Sequence, residues 1–402
     1  MGNFDIANSD VADLFKTVYP DYMAQMFNDS HPVLSMIKRD MSASGNVQAH
    51  GIRFSLPGGV GSGSIPTGNA GIYDQTNYTL KQVYARETID DKSVQLALNN
   101  GAFKELVQET VESLQKSNSA NWARILFGNG TGKLGEISSV VDDGGGQYTL
   151  TMKNTAADPF IRANLRKSML INIETGNTDL FEIRSVVRST AVVVVLRKTG
   201  TQIPVANDEL FMQGSENTDP QGLIGVLDAT SSTKYGITIG DGWQSTQVDA
   251  NSKPISAEML MDCLISVQDE FGEMPNMIVC GATQRKRLMH LGEEIKYLDV
   301  AGDGGKYVMG GPMPHIMLNG AAIPIVYDQH VANDRVLLLN KEHITIRTAG
   351  AGHFKDVGGS HLIPEYMNGN DRKMLLYATY GEIYIVPTAH ATITDLSTTT
   401  LA

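Results

Sequence analysis

Residues 47–89, VQAHGIRFSLPGGVGSGSIPTGNAGIYDQTNYTLKQVYARETI, decide how the rest of the chain is read. The outgoing limb sets Ile52, Phe54 and Leu56 on one face and Arg53 and Ser55 on the other, the two-residue period of a half-buried strand. The return limb sets Tyr78, Leu80 and Tyr84 on one face in the same way. Between them the run from Pro57 to Gly71 is too rich in Gly and Pro for regular structure and too long for a tight turn. A two-stranded ribbon alone in water is marginal, so its apolar face needs a further surface. That surface is either the chain's own domain or another molecule. In the second case these six apolar residues are the candidate contacts between subunits.

On either side of the ribbon the pattern is helical. Asp90 and Asp91 stand where a helix amino terminus favours negative charge, and the run 93–127 contains no proline. Leu96, Phe103, Val107, Leu114, Ile125 and Leu126 mark an apolar stripe along it. If continuous, such a helix is about 50 Å long. It stops at Gly128-Asn129-Gly130-Thr131-Gly132, where Gly128, Gly130 and Gly132 supply the conformational freedom of a hinge. Upstream, residues 1–45 form an arm with apolar clusters at Val11, Leu14, Phe15 and Val18 and again at Val33, Leu34, Met36 and Ile37. Helices this short are marginal alone and must dock elsewhere.

Past the glycines, 135–214 changes to short strands, Tyr148–Met152, Met169–Glu174, Phe181–Val187 and Ala191–Arg197, separated by turn clusters, which predicts a small barrel or curled sheet inserted in the chain. From Gly222 onward the signals mix. Ser256 caps a helix with Leu260, Cys263, Leu264 and Val267 inward, and Met277–Cys280 is a short buried strand. Thr283 begins another helix carrying Leu288, Met289 and Leu291, after which 292–322 is rich in Gly and Met. Strand-like segments follow at Ile323–Tyr327, Arg335–Arg347 and Arg372–Thr394, the last broken at Pro387.

Composition bounds the function. A formal charge of −12 argues against a protein whose main task is gripping nucleic acid, since phosphate binding draws on clustered Lys and Arg, but it suits a container that must not stick to what it encloses. Cys263 and Cys280 are the only cysteines, so no disulfide framework or metal spacing is present and both read as small core residues. The amino terminus lacks the basic and apolar segments of a secretory signal, and no stretch approaches about 18 consecutive apolar residues, so neither secretion nor a membrane is expected.

No catalytic pattern survives inspection, and neither a cofactor nor an enzyme is expected. Gly128 to Leu134 is one residue short of a phosphate loop, and Leu134 stands where Ser or Thr would hold magnesium. Gly59-Val60-Gly61-Ser62-Gly63 lies in the ribbon tip, where a nucleophile has no rigid support. No second His follows His290 at helical spacing, and it reads as partly buried packing. Asp299 and Asp303 lack the ligand alternation of a calcium loop.

The succession of arm, ribbon, long helix ending near Gly128, mixed segment with Asn276 to Gly281, and closing strands around Val336 to Asn340 resembles the major capsid proteins of tailed phages of the Hong Kong 97 type, over nearly the whole chain. The resemblance implies an α+β fold with an amino-terminal arm (1–45), an extended loop (46–90) laid over a neighbour and a peripheral domain with its spine helix (91–134). An inserted β-barrel-like domain (135–215), an axial domain (216–334), returning peripheral strands (335–385) and a carboxy-terminal segment (386–402) would follow. Gly302, Gly304, Gly305, Gly310 and Gly311 would form the axial loop at the symmetry axes. It implies self-assembly into pentamers and hexamers of an icosahedral shell around double-stranded DNA, with the arm beneath a neighbour. A scaffolding protein, a portal and a decoration protein are partners of the same implication, with assembly in the host cytoplasm and residence in the virion. Lys81 and Lys92 lie near the element that some relatives crosslink, but no motif identifies partners for them. Rivals are an encapsulin-like compartment around an enzyme cargo and a soluble hydrolase with a Gly-rich lid.

Overall fold

The computed structural model describes residues 31–53, 73–90, 103–155, 163–228, 233–238, 242–296, 315–318, 321–357, 361, 363–365 and 372–398. The arm before His31, the ribbon tip with Phe54 and Leu56, the start expected for the long helix, and the loop carrying Gly302, Gly304, Gly305, Gly310 and Gly311 lie outside the described residues.

In chain order, helix α1 (Pro32–Met36) leads into β1 (Lys38–Asp40), and the ribbon follows as β2 (Val47–Arg53) and β3 (Tyr73–Thr79), paired from Val47 opposite Thr79 to Arg53 opposite Tyr73. Strand β4 (Lys81–Asp90) and helix α2 (Phe103–Leu126) come next. Six strands then succeed one another: β5 (Lys133–Gly144), β6 (Gln147–Met152), β7 (Leu170–Ile173), β8 (Phe181–Val187), β9 (Val192–Arg197) and β10 (Glu209–Met212). Helix α3 (Leu223–Leu227), the short pair β11 (Thr233–Lys234) and β12 (Ile237–Thr238), β13 (Thr246–Asp249), α4 (Ala257–Phe271), β14 (Met277–Cys280) and α5 (Ala282–Lys296) follow. The chain closes with β15 (His315–Leu318), β16 (Ala321–Tyr327), β17 (Val336–Leu339), β18 (Ile344–Thr348), β19 (His353–Phe354), β20 (Ile363–Glu365), β21 (Arg372–Ile385) and β22 (Ala391–Thr394).

These elements make three bodies of a mixed α+β fold. In the first, β21 is the organising strand: β4 pairs along one edge from Asp90 to Lys81, while β20, β19 and β18 pair in succession along the other, and β1 adds parallel to β18. Helix α2 lies on this sheet, with Trp122, Ile125, Leu126 and Phe127 packed on Ile344, Ile346, Ile383 and Ile385. Trp122 is buried, and its Nε1 donates to Thr379 Oγ1 at 3.1 Å, so the helix is pinned by a polar contact as well as by apolar area.

The second body is a six-stranded sheet in the order β13-β22-β17-β14-β16-β15. Two short runs without a polar residue, Met277–Cys280 and Val336–Leu339, form its centre because both faces are covered. Met277, Val279, Leu337 and Leu339 face the core beneath α2, and Ile278, Cys280, Val336 and Leu338 face a second core under α4. Ser256 caps α4 by accepting from Met259 N, and Gly272 ends it in the left-handed region.

The third body is the closed barrel β10-β5-β6-β9-β8-β7, inserted between α2 and α3. Tyr148, Leu150 and Met152 of β6 alternate inward to meet Ile137, Phe181, Val193 and Val195. Register shifts in β5, β8 and β10 bend the strands enough to close.

Several sequence expectations need correction. The return limb of the ribbon is two strands broken at Leu80, and the break moves the buried set from Thr76 and Tyr78 to Val83 and Ala85. Tyr78 therefore points in and Tyr84 out, because one extra residue reverses the side-chain phase of a strand. Asp90 is the last residue of β4, and the residues expected to begin the helix after it lie outside the described residues. The segment Arg335–Arg347 is two strands separated by a turn at Lys341–His343. Met289 is 40% exposed and His290 also faces outward, since α5 buries Gln284, Arg287 and Leu288 instead.

Candidate assembly interface

The ribbon leaves the body of the protein at an aromatic seat. Gln48, His50 and Ile52 of β2 share one face with Tyr78 and Thr76 of β3, and this face turns toward the chain's own sheet. Tyr78 stacks on Tyr384 at 5.5 Å between ring centres and meets Tyr235 edge-on at 5.8 Å, while His50 lies 4.9 Å from Tyr384. Arg347 covers Tyr384 with its guanidinium 5.6 Å from the ring. Backbone bonds complete the seat: Asn77 N donates to Tyr235 O at 2.8 Å and Leu80 N to Asn46 O at 3.0 Å. Burial raises the pKa of the Tyr78, Tyr235 and Tyr384 hydroxyls, and the same burial, reinforced by Arg347, lowers that of His50.

Beneath the rings sits Glu382, 3% exposed in a strand whose other buried residues are uncharged. Its Oε1 accepts from Gln221 N at 2.6 Å and from Ile383 N at 3.3 Å, and Tyr235 Oη donates to Ile383 O at 2.7 Å. Burial pushes the carboxyl up to about 8, against the opposing pull of its backbone donors and of Lys81. Glu382 is thus neutral near pH 7 and ties the returning barrel connector to β21.

The two connectors of the barrel lie side by side at this place. Arg124 Nη1 of α2 meets Asp219 Oδ2 at 2.6 Å, and Asn217 N donates to Thr131 O at 2.8 Å. Gly132, at φ +78°, presses on Ser215, whose carbonyl would lie 2.2 Å from an added Cβ. Gly222 is tighter still, 2.1 Å from Ile125 O by the same measure. Close approach explains glycine at these positions. Gly130 also needs its positive φ of 83°, while Gly128 N donates to Ile125 O as the helix ends.

Of the six apolar ribbon residues, Tyr78 is withdrawn into the chain's own core, a correction to its place among intersubunit contacts. Ile52 and Leu80 are half-buried, Tyr84 is 38% exposed on β4, and Phe54 and Leu56 lie outside the described residues. The outer face of the ribbon carries Val47, 59% exposed, and Tyr73, 68% exposed with Arg53 over its ring. Sequence reasoning missed Tyr235, Tyr384 and Glu382. The only local signal was a lone Glu among the apolar residues of β21.

A family described as SU10 major capsid protein matches residues 205–397, just under half of the chain. Among solved structures, the capsid asymmetric unit of cyanophage A-1(L) superposes with a TM-score of 0.54 at 9% identity, covering 90% of this chain and 91% of that one. At that identity the likeness establishes the fold. Microbacterium phage Oxtober96 gives a TM-score of 0.46 at 10% identity, covering 91% of each chain. No curated protein matches the sequence.

Proposed function

We propose that this chain is a tailed-phage major capsid protein of the Hong Kong 97 type that self-associates into the capsomers of an icosahedral shell, and that the ribbon beyond its aromatic seat is the principal contact between subunits. The observation that carries this is the pairing of β2: among the described residues it pairs with β3 alone, and the pair keeps Val47 and Tyr73 in solvent while its base is clamped by Tyr384 and Tyr235. A clamped base and an uncovered shaft suit a lever laid on a neighbour. Permanent assemblies bury more than about 2,000 Å² per interface, and a ribbon supplies such area without enlarging a core.

In the same proposal the body around β21 is the peripheral domain with α2 as its spine, the sheet centred on β14 is the axial domain, and the loop with Gly302 to Gly311 gathers at symmetry axes. Family resemblance supports a separate scaffolding protein, a portal vertex, a decoration protein and packaged double-stranded DNA as partners, with assembly in the host cytoplasm. The charge of −12 favours enclosing DNA over binding it by sequence. The structural family points to a shell component and not to an enzyme.

Deleting Gly58 to Gly71 tests the ribbon's role. The subunit should keep its circular dichroism and melting behaviour but fail to yield closed shells by electron microscopy. Normal shells of unchanged stability from the deletion would refute it.

A further inference from the structure

A cleft of about 810 Å³ separates the middle of α2 from the barrel. Ser117, Ala120 and Asn121 of α2 line one side, and Met169, Leu170 and Met212 the other. Its rim is basic. Arg166 and Lys167 are exposed there, while of the other charged or titratable residues in the lining Arg124 is held by Asp219, His330 by Asp328, and Arg86 is offset by Glu87. Within the cleft, Asn164 presents a buried side-chain oxygen that has no hydrogen-bond partner. Half-buried methionines, two cations and an unused acceptor suit an occupant that is apolar, acidic and supplies a backbone donor.

The same chain carries such a feature at the other end of the barrel. Strand β5 pairs with β10 only as far as Glu136, so among the described residues its stretch from Ser139 to Gly144 is paired by β6 alone. Val141 is 57% exposed, Asp142 and Asp143 are exposed, and Gly145 and Gly146 turn the chain at φ of +64° and +79°. Two positive φ values in a two-residue loop make a tight, preformed tip. Val141 stands opposite Thr149, and Asp143 accepts from Thr149 Oγ1 at 2.6 Å, so the valine and this carboxylate share the outward face. The exposed backbone of Gly145 carries the amide at the end.

This tip cannot enter the cleft of its own chain. The cleft opens beside Met212 and Gly214, where Gly132 meets Ser215, and the tip lies at the far end of β5, a path of roughly 30 Å along the strand. Arg197 N donates to Gly146 O at 2.8 Å and holds the turn against β9. A tip and a cleft that are complementary in charge, yet kept apart by the fold, can meet only between two molecules.

We propose that the β5–β6 tip of one copy enters the cleft between α2 and the barrel of a second copy, with Val141 against Met169 and Met212 and with Asp142 and Asp143 facing Arg166 and Lys167. Each subunit then offers one tip and one cleft, a heterologous contact of the kind that closes rings. Copies of charge −12 repel, and an acidic tip meeting a basic rim fixes the orientation in which they approach. The inference rests on the self-association proposed above and not on the ribbon contact.

Disulfide trapping between copies tests it, because Cys263 and Cys280 are both buried. Full-length chain carrying Val141→Cys, mixed before assembly with chain carrying Ser117→Cys, should give the mixed disulfide dimer under mild oxidation. It should form several-fold faster than with Ile265→Cys as the second chain, an exposed position on α4 outside the cleft. Arg166→Glu with Lys167→Glu on the Ser117→Cys chain should slow trapping several-fold, the scale of two exposed charge pairs, and Asp142→Lys with Asp143→Lys on the Val141→Cys chain should restore it. Equal rates at Ser117 and Ile265, or no response to the charge changes, while the unaltered chain forms shells by electron microscopy, overturn this contact and leave self-association standing. An unaltered chain that stays monomeric at every concentration overturns both. Should the cysteine chains fail to fold, hydrogen exchange on the unaltered protein decides: amides of residues 142–145 should gain protection on assembly, and unchanged exchange there overturns the proposal.

Discussion

Replacing Glu382 by Gln isolates the most perturbed carboxyl at the base of the ribbon. The folded protein holds this group protonated up to about pH 8, whereas an unfolded chain ionises it near 4.5. Between those values unfolding releases a proton, so rising pH favours the unfolded chain. The stabilising contribution is fully present below pH 4.5 and is lost as pH climbs through about 8. The slope is about 1.4 kcal/mol per pH unit, and over the whole window the loss is on the order of 5 kcal/mol. Gln keeps an oxygen that can accept from Gln221 N and Ile383 N but cannot ionise. Urea unfolding of unassembled subunits at pH 5, 6, 7 and 8 should therefore show Glu382→Gln gaining on the parent steadily with pH. Any fixed cost of the amide shifts the line without altering its slope. Parallel stability profiles for the two proteins would refute the assignment of a buried, neutral Glu382.

Other perturbations test separate parts of the structure. Thr379→Val removes the hydroxyl shared by Trp122 Nε1, Asn118 Oδ1 and Val83 O, and should cost about 1–3 kcal/mol in denaturant unfolding while leaving the far-ultraviolet spectrum unchanged. Gly222→Ala drives a methyl into Ile125 O and should destabilise by about 1–3 kcal/mol or abolish soluble expression, whereas Gly242→Ala, which meets nothing within 4 Å but also has positive φ, should cost only backbone strain. His390, fully buried and accepting from Asn340 N, is pushed down to about 3 by burial and then by His343. Its ring should keep the neutral-state carbon shifts in histidine-labelled protein from pH 7 to about 4, and the stability it carries should fall as pH drops from about 6.5 toward 3.

Much of the fold was legible because hydrophobic period is a local property. The alternation of β2, the stripe on α4 with its Ser256 cap and the unbroken apolar runs of β14 and β17 each follow from a few adjacent residues. The strand character of the inserted region was legible in the same way for β6, β8 and β9. The two strands that close the barrel, β5 and β10, escaped notice, since polar residues and a long turn mask the alternation of β5 and β10 is only Glu209–Met212. Of the candidate contact residues, Tyr78 and Tyr84 were read on one face, and they point opposite ways because the break at Leu80 reverses the facing of everything after it, a break that nothing in the residue types there announces.

From the linear order of residues alone come the ribbon, the body of the long helix and the buried central strands, each settled by side-chain types within one or two turns or strand repeats. Only the tertiary structure decided that Tyr78, Tyr235 and Tyr384 form one seat, that Glu382 lies beneath it uncharged, and that the barrel's entry and exit run together at Gly132 and Ser215. Those partners are separated by tens to hundreds of residues, and burial, which sets both their packing and their protonation, belongs to the assembled fold and to no stretch of the chain.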